Sequence, residues 1–218
     1  MRNDLGRLAS TFLVPVLLVL STTAIHPQTR PPASAAGEAL FDGKTLDNWR
    51  PSKFFGAQGA VTIEDGAIIL ATGKDMTGVT WAGPALPTTN YELTLQARRL
   101  EGRDFFAGVT FPVGESFCSL ILGGWGGEIV GLSSINGMDA SENSTSQSIQ
   151  FETGRWYSVR IRVTPAKIDG WLDDKHIIEQ ELKGNQVGVR LEVEPSQPLG
   201  IASWRTKAAI RDIRLKKL

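Results

Sequence analysis

Polar and apolar residues alternate strictly along three stretches of the chain. In the first, Tyr91, Leu93, Leu95 and Ala97 fall on one side and Glu92, Thr94, Gln96 and Arg98 on the other. A period of two marks a half-buried β-strand. Trp156 to Val163 repeats the pattern, with Tyr157, Val159, Ile161 and Val163 inward and Ser158, Arg160 and Arg162 outward. Gln186 to Val193 reads as a third strand of this kind. Between Val61-Thr-Ile-Glu and Ala67-Ile-Ile-Leu stands Asp65-Gly66, the dipeptide that supplies the positive φ angles of a two-residue hairpin turn.

Shorter apolar runs predict further strands at 105–111, 117–122, 129–133, 167–172, 176–181, 199–204 and 209–216. No apolar repeat of helical period persists for three turns. The 23 glycines and 11 prolines are spread along the chain rather than gathered in one place. Many short strands separated by turn residues predict an all-β sandwich of two antiparallel sheets. No repeat of blade length appears, which excludes a propeller.

The N-terminal end breaks the pattern. Arg2 and Arg7 precede the apolar run Phe12 to Leu20, and small residues Ser21 to Ala24 follow. A basic start, an apolar core of roughly ten residues and a small-residue exit predict a secretory signal peptide over 1–24, because the run is too short to span a bilayer. Residues 25–37 hold three prolines and almost nothing to bury, and read as a flexible linker. One folded domain is therefore expected over 38–218, long enough for a two-layer core, in a protein that is secreted or periplasmic.

Charge narrows the partners. Lys and Arg total 23 and Asp and Glu total 23; removing Arg2, Arg7 and Asp4 with the leader leaves 21 against 22. A near-neutral domain lacks the overall electrostatic footprint of a nucleic-acid binder or of a protein held on an anionic membrane. The outward arginines Arg155, Arg160, Arg162 and Arg190 read as residues that keep strand surfaces soluble. Cys118 is the only cysteine, so no internal disulfide forms, and its apolar neighbours mark it as a buried small residue.

The domain opens with Leu40-Phe41-Asp42-Gly43-Lys44-Thr45-Leu46-Asp47-Asn48-Trp49, or Leu-Phe-Asp-Gly-Lys-x-Leu-x-x-Trp. This string resembles the entry motif of the 3-keto-disaccharide hydrolase domain family, exported bacterial sandwiches of the concanavalin-like jelly-roll type. Tyr91-Glu92-Leu93, Gly154-Arg155-Trp156-Tyr157, Trp171-Leu172-Asp173-Asp174, Gly200-Ile201-Ala202 and Ile210 to Leu215 resemble later segments of the family in the family's order. The resemblance implies a jelly roll and a carbohydrate partner. Most of the matched positions are scaffold, since a buried Trp fixes sheet packing by itself.

The centre of the chain departs from the family. Where members carry an Asn-Ser-Gly segment and a strand reading Tyr-Glu-x-Gln-Ile-x-Asp, this chain has Asp104-Phe105-Phe106-Ala107-Gly108-Val109 and Phe117-Cys118-Ser119-Leu120-Ile121-Leu122-Gly123. In place of the family acids stand Gly123-Gly124-Trp125-Gly126-Gly127-Glu128 and Ile135 to Asn143. Glycines flanking Trp125 allow the indole to stand at a rim and stack on a pyranose ring; the alternative is an indole capping the core. Asn136, Asn143, Arg103 and Asp104 are the expected polar contacts to the sugar.

Cleavage of an ordinary glycosidic bond uses two carboxyl groups. A 3-keto sugar relaxes that requirement, because the ketone acidifies the C2 proton and allows elimination followed by hydration. One base and one group that polarises the ketone then suffice. Glu128, Asp139 and Glu142 are the expected bases, with Asp104 a fourth candidate after them, and Arg103 or Arg205 is the expected partner of the enolate oxygen, each also readable as an ordinary loop charge. With only His26 and His176, a histidine triad or a histidine zinc site is short of residues. No cofactor is expected. The Asn136 to Asn143 segment has oxygen donors enough for calcium, but not with EF-hand spacing. Two function classes follow: a glycoside-cleaving enzyme acting on 3-keto-glycosides or related oligosaccharides, and a non-catalytic carbohydrate-binding module.

Overall fold

A computed structural model describes residues 37–218. The leader at 1–24 and the linker up to residue 36 lie outside the described residues. In chain order the strands are β1 (Glu38–Ala39), β2 (Trp49–Pro51), β3 (Val61–Glu64), β4 (Ala67–Leu70), β5 (Met76–Trp81), β6 (Tyr91–Glu101), β7 (Ala107–Val113) and β8 (Ser116–Gly124). They continue as β9 (Ile129–Ser133), β10 (Gln147–Ser148), β11 (Tyr157–Val163), β12 (Lys167–Leu172), β13 (Lys175–Glu181), β14 (Gly200–Trp204) and β15 (Lys207–Lys217). The described helical segment is a 3-10 turn at Leu191–Ser196.

Two antiparallel sheets form the expected sandwich. The eight-stranded sheet runs β13-β12-β11-β6-β15-β4-β3, with β1 also paired to β15. The seven-stranded sheet runs β10-β9-β8-β7-β14-β5-β2. The alternation read from the sequence sets their register. Tyr91, Leu93, Leu95 and Ala97 pair with Val163, Ile161, Val159 and Tyr157, and all eight are buried in one core. Across that core, β8 contributes Cys118, Leu120 and Leu122 and β9 contributes Val130 and Leu132. Tyr91 ties the layers together by donating its hydroxyl to the Pro112 carbonyl at 2.6 Å. Burial pushes the Cys118 thiol up to about 12, so it is an inert core residue.

The entry motif is scaffold in detail. Asp42 accepts hydrogen bonds from the Lys44 and Thr45 amides at 2.8 and 2.9 Å, which fixes the turn. The Trp49 indole donates to the Leu40 carbonyl at 2.8 Å and meets Trp81 edge to face at 5.4 Å between ring centroids. The expected hairpin at Asp65-Gly66 forms, with φ of 50° and 75° at those residues.

Two expectations are corrected. Gln186 to Val193 is not a strand: Val187 makes one isolated bridge to Ile135, and from Leu191 the chain winds into the 3-10 turn. Its alternation does not match burial, since Leu191 is 77% exposed. The backbone here bonds locally, Val193 to the Arg190 carbonyl and Gln197 to the Glu194 carbonyl, because the segment passes from the edge of one sheet to the interior of the other. The second is the list of strands, to which the structure adds the short β1, β2 and β10 and the longer β5. The inward residues of β5, Val79 and Trp81, join the main core and its outward Met76 does not.

Candidate functional site

The outer face of the seven-stranded sheet is unusually apolar. Phe54, Met76 and Ala202 form a second buried cluster there, with Phe105, Val193 and Trp204 packed against it. Above them opens a cleft of about 250 Å³. Its floor comes from the outward phase of the strands: Met76 of β5, Ser119 and Ile121 of β8, Ser133 of β9 and Trp204 of β14. Small outward residues make room for it. The nearest contact of a β-carbon added at Gly108 of β7 would be 3.2 Å from the Phe105 ring, which folds over that strand.

Two loops complete the cleft. One is Gly123 to Gly127, where Trp125 has φ 50° and its glycine neighbours have φ between 75° and 118° at 123, 126 and 127. A β-carbon at Gly127 would lie 2.7 Å from the Arg103 carbonyl, so this position requires glycine. Trp125 lines the cleft and remains 46% exposed. That is the rim position rather than the core-capping one. Asp104 also lines the cleft; its carboxylate accepts from the Phe105 amide at 2.7 Å and from the Gly126 amide at 3.4 Å, joining the loop to the aromatic floor. Beneath the loop the buried Arg99 donates to the Gly127 carbonyl at 2.9 Å.

The other loop carries Arg190, Glu192 and Val193. Arg190 donates to Glu192 at 2.7 Å and forms a second ion pair with Asp139, which also accepts from the Ser133 hydroxyl at 2.9 Å. Hydrogen bonding to Glu192, together with the Asp139 charge, outweighs burial and raises the Arg190 guanidinium above its ordinary value. Burial of Glu192 opposes its charge, yet hydrogen bonds from Arg190 and the backbone prevail and hold its carboxyl below the usual range. Arg190 is therefore a cation facing the cleft, correcting its reading as a surface solubiliser.

Of the residues singled out from sequence, the structure brings Trp125 and Asp104 into the cleft and sets Asp139 behind Arg190 and Ser133. It does not bring the others there. Glu128 is exposed and accepts from Ser148 and Gln150 at the β9-β10 edge. Glu142 is exposed on a turn whose amide bonds the Asp139 carbonyl. Arg103 is exposed, and its carbonyl stands where a β-carbon at Gly127 would have to go. Arg205 pairs with Asp75 at 2.9 Å and lies over the Trp204 ring, outside the cleft lining. Asn136 staples its loop to Asn185 and the Gln186 amide. Asn143 is buried and fully used, its amide nitrogen donating to the Leu132, Met138 and Asp139 carbonyls and its oxygen accepting from Thr145. Its conformation makes it an internal brace, not a sugar contact.

Sequence reasoning missed Arg190, Glu192, Trp204 and Met76. A signal existed for two of them: Met76 and Trp204 are large apolar residues in the outward phase of strands whose inward phase is already apolar.

A model of the 3-keto-alpha-glucoside-1,2-lyase-like domain matches residues 37–216. The chain belongs to this family. No curated protein matches the sequence. Among solved structures, a Bacillus subtilis protein of unknown function with a galectin-like fold aligns with TM-score 0.59 at 12% identity, covering 83% of this chain and 96% of that one. Carbohydrate binding module CBM66 from Bacillus subtilis aligns with TM-score 0.54 at 10% identity, over 78% and 96%. A glycosyl hydrolase described as putative, from Parabacteroides distasonis, aligns with TM-score 0.54 at 14% identity, over 82% and 92%. At these identities the likeness is one of fold. Family and fold together make this a carbohydrate-related β-sandwich.

Proposed function

We propose that the cleft is a sugar site that opens 3-keto-glycosides by elimination, in an exported protein. The observation that carries this reading is the shared lining: Trp125, Trp204 and Phe105 supply aromatic surface, and Asp104 and the Arg190 cation face the same space. Aromatic faces hold a pyranose by its C–H side. Glu192, held low by Arg190, is a poor general acid, which argues against the usual two-carboxylate route. Elimination needs no such acid.

In this scheme the Asp104 carboxylate removes the C2 proton beside the ketone. The electron pair forms an enolate whose oxygen the Arg190 guanidinium stabilises. Collapse of the enolate restores the C3 ketone, makes the C1–C2 double bond and breaks the C1–O bond, and the leaving oxygen takes up the proton that Asp104 carries, which returns Asp104 to its carboxylate form. Water then adds across the double bond, with oxygen at C1 and hydrogen at C2, giving the free 3-keto sugar.

The test is incubation of the mature domain with a 3-keto-disaccharide in deuterium oxide. Release of 3-keto-glucose with deuterium at C2 is expected, and its loss in Asp104→Asn and Arg190→Gln. Release without deuterium rejects elimination. Saturable oligosaccharide binding with no turnover favours the non-catalytic module, which the same aromatic lining would serve.

A further inference from the structure

The opposite side of the molecule carries a concentration of charge that the neutral composition conceals. On the outer face of the eight-stranded sheet, the register of β11, β6 and β15 aligns Arg160 and Arg214 on either side of Thr94. It likewise sets Arg162 and Lys216 beside Glu92, and Arg211 beside Gln96. Arg98, one step further along β6, extends the same face. These three adjacent strands thus display six cations outward against two carboxylates, Glu92 and, at the β15 bulge, Asp212.

The cations are only partly neutralised from within. Arg160 and Arg162 share the single carboxylate Glu92, at 3.1 and 2.7 Å. Arg211 donates to the Gln96 side-chain oxygen at 2.8 Å, and its nearest acid, Asp212, is 3.7 Å away. Among the described residues Arg98, Arg214 and Lys216 have no ion pair, and the Arg98 Nε is buried without a hydrogen-bond partner. Arg98 and Arg211 are nevertheless held together, each guanidinium lying over the Trp156 ring at 4.4 and 4.1 Å from its centroid. Stacking fixes the planar forks in place, with the Arg211 Nε already donated to Gln96. Burial and the neighbouring Arg211 disfavour the Arg98 charge and outweigh the opposing effect of Asp65, a conflict that a bound oxyanion relieves.

We infer that this face is a second binding site, for a polysaccharide bearing sulfate or carboxylate groups, with Arg98, Trp156 and Arg211 as its anchor. Outward positions repeat about every 7 Å along a strand and about every 5 Å across strands, so the patch matches a chain with regularly spaced charges rather than a single small anion. A carbohydrate polyanion is favoured over nucleic acid by the domain family, and this choice rests on the same carbohydrate reading as the cleft. The fold would then hold a charged glycan on one sheet while the cleft on the other sheet meets a sugar.

Calorimetric titration at low ionic strength tests the proposal, using heparin, polygalacturonate, neutral dextran and a single-stranded oligonucleotide. Binding to heparin or polygalacturonate but not to dextran is expected, weakening steeply with added salt. Arg98→Gln and Arg211→Gln should each weaken it about fivefold, and Arg98→Lys should restore part of the loss. Lys216→Gln, at an exposed side chain without stacking contacts, gives a weaker decrease and guards against a folding artefact. Asp104→Asn and Trp125→Ala should leave polyanion binding unchanged, so failure of the cleft reading and failure of this one are separate results. No binding to either polyanion overturns the proposal. So does oligonucleotide binding of equal strength, which would indicate a general polyanion surface.

Discussion

Replacing Trp125 with alanine separates a binding indole from a structural one. The side chain is 46% exposed and belongs to none of the buried clusters. A tryptophan offers up to about 250 Å² of surface, so roughly 100 Å² remains free to be covered by a ligand. At about 25 cal/mol per Å² this is worth up to about 2.5 kcal/mol, or roughly seventyfold in affinity. Hydroxyls on the sugar and imperfect overlap reduce it, so a loss of about ten- to seventyfold is expected. The backbone cost does not change, because alanine and tryptophan meet the same φ of 50°. Stability should therefore shift by under about 0.5 kcal/mol. Calorimetric titration with a disaccharide measures the first quantity and thermal unfolding the second. Unchanged affinity in a normally folded variant refutes the platform role. A fall in Tm of several degrees with unchanged affinity would show that the indole caps the core instead.

Other consequences can be checked independently. Asp104→Asn should lower turnover of a 3-keto-disaccharide by about 10²- to 10⁴-fold with KM little changed, whereas Glu128→Gln and Glu142→Gln, outside the cleft, should leave turnover as it was. Tyr91→Phe leaves the buried Pro112 carbonyl without its partner; a loss of about 1–3 kcal/mol should lower Tm by roughly 3–10 °C. Burial raises the Glu92 carboxyl, but hydrogen bonds and charge from Arg162 and Arg160 bring it below its ordinary 4.5. A depressed carboxylate stabilises the fold above that value and the contribution is lost as pH falls through its folded pKa, so Tm should drop on acidification below about pH 4.5 and Glu92→Gln should flatten the drop. Cys118, buried with its thiol raised to about 12, should resist alkylation by iodoacetamide until the domain unfolds.

Much of the scaffold was legible along the chain because it depends on local chemistry. A strictly alternating strand such as Tyr91 to Arg98 has one face that must be buried, and Asp65-Gly66 satisfies a turn that few dipeptides allow. The failure at Gln186 to Val193 has the same physical origin: alternation specifies a face only where the segment pairs with a neighbouring strand, and here the pairing stops at one bridge from Val187 to Ile135. Leu191 consequently points to solvent in a pattern that resembles a buried strand.

By itself the sequence determined the sandwich, its entry motif and the buried thiol, since each follows from period or turn chemistry within a few residues, while it left Trp125 open between a rim and a core-capping position. Only the tertiary structure decided which acids line the cleft. Asp104 lies far along the chain from Arg190, Glu192 and Trp204, and they meet because β14 inserts between β7 and β5 while the 3-10 turn packs against β5 and β14. Asn143 shows the converse, a polar residue in a promising segment whose hydrogen-bonding capacity is spent on its own backbone surroundings. Burial and partner choice are properties of the packed chain, and no local pattern encodes them.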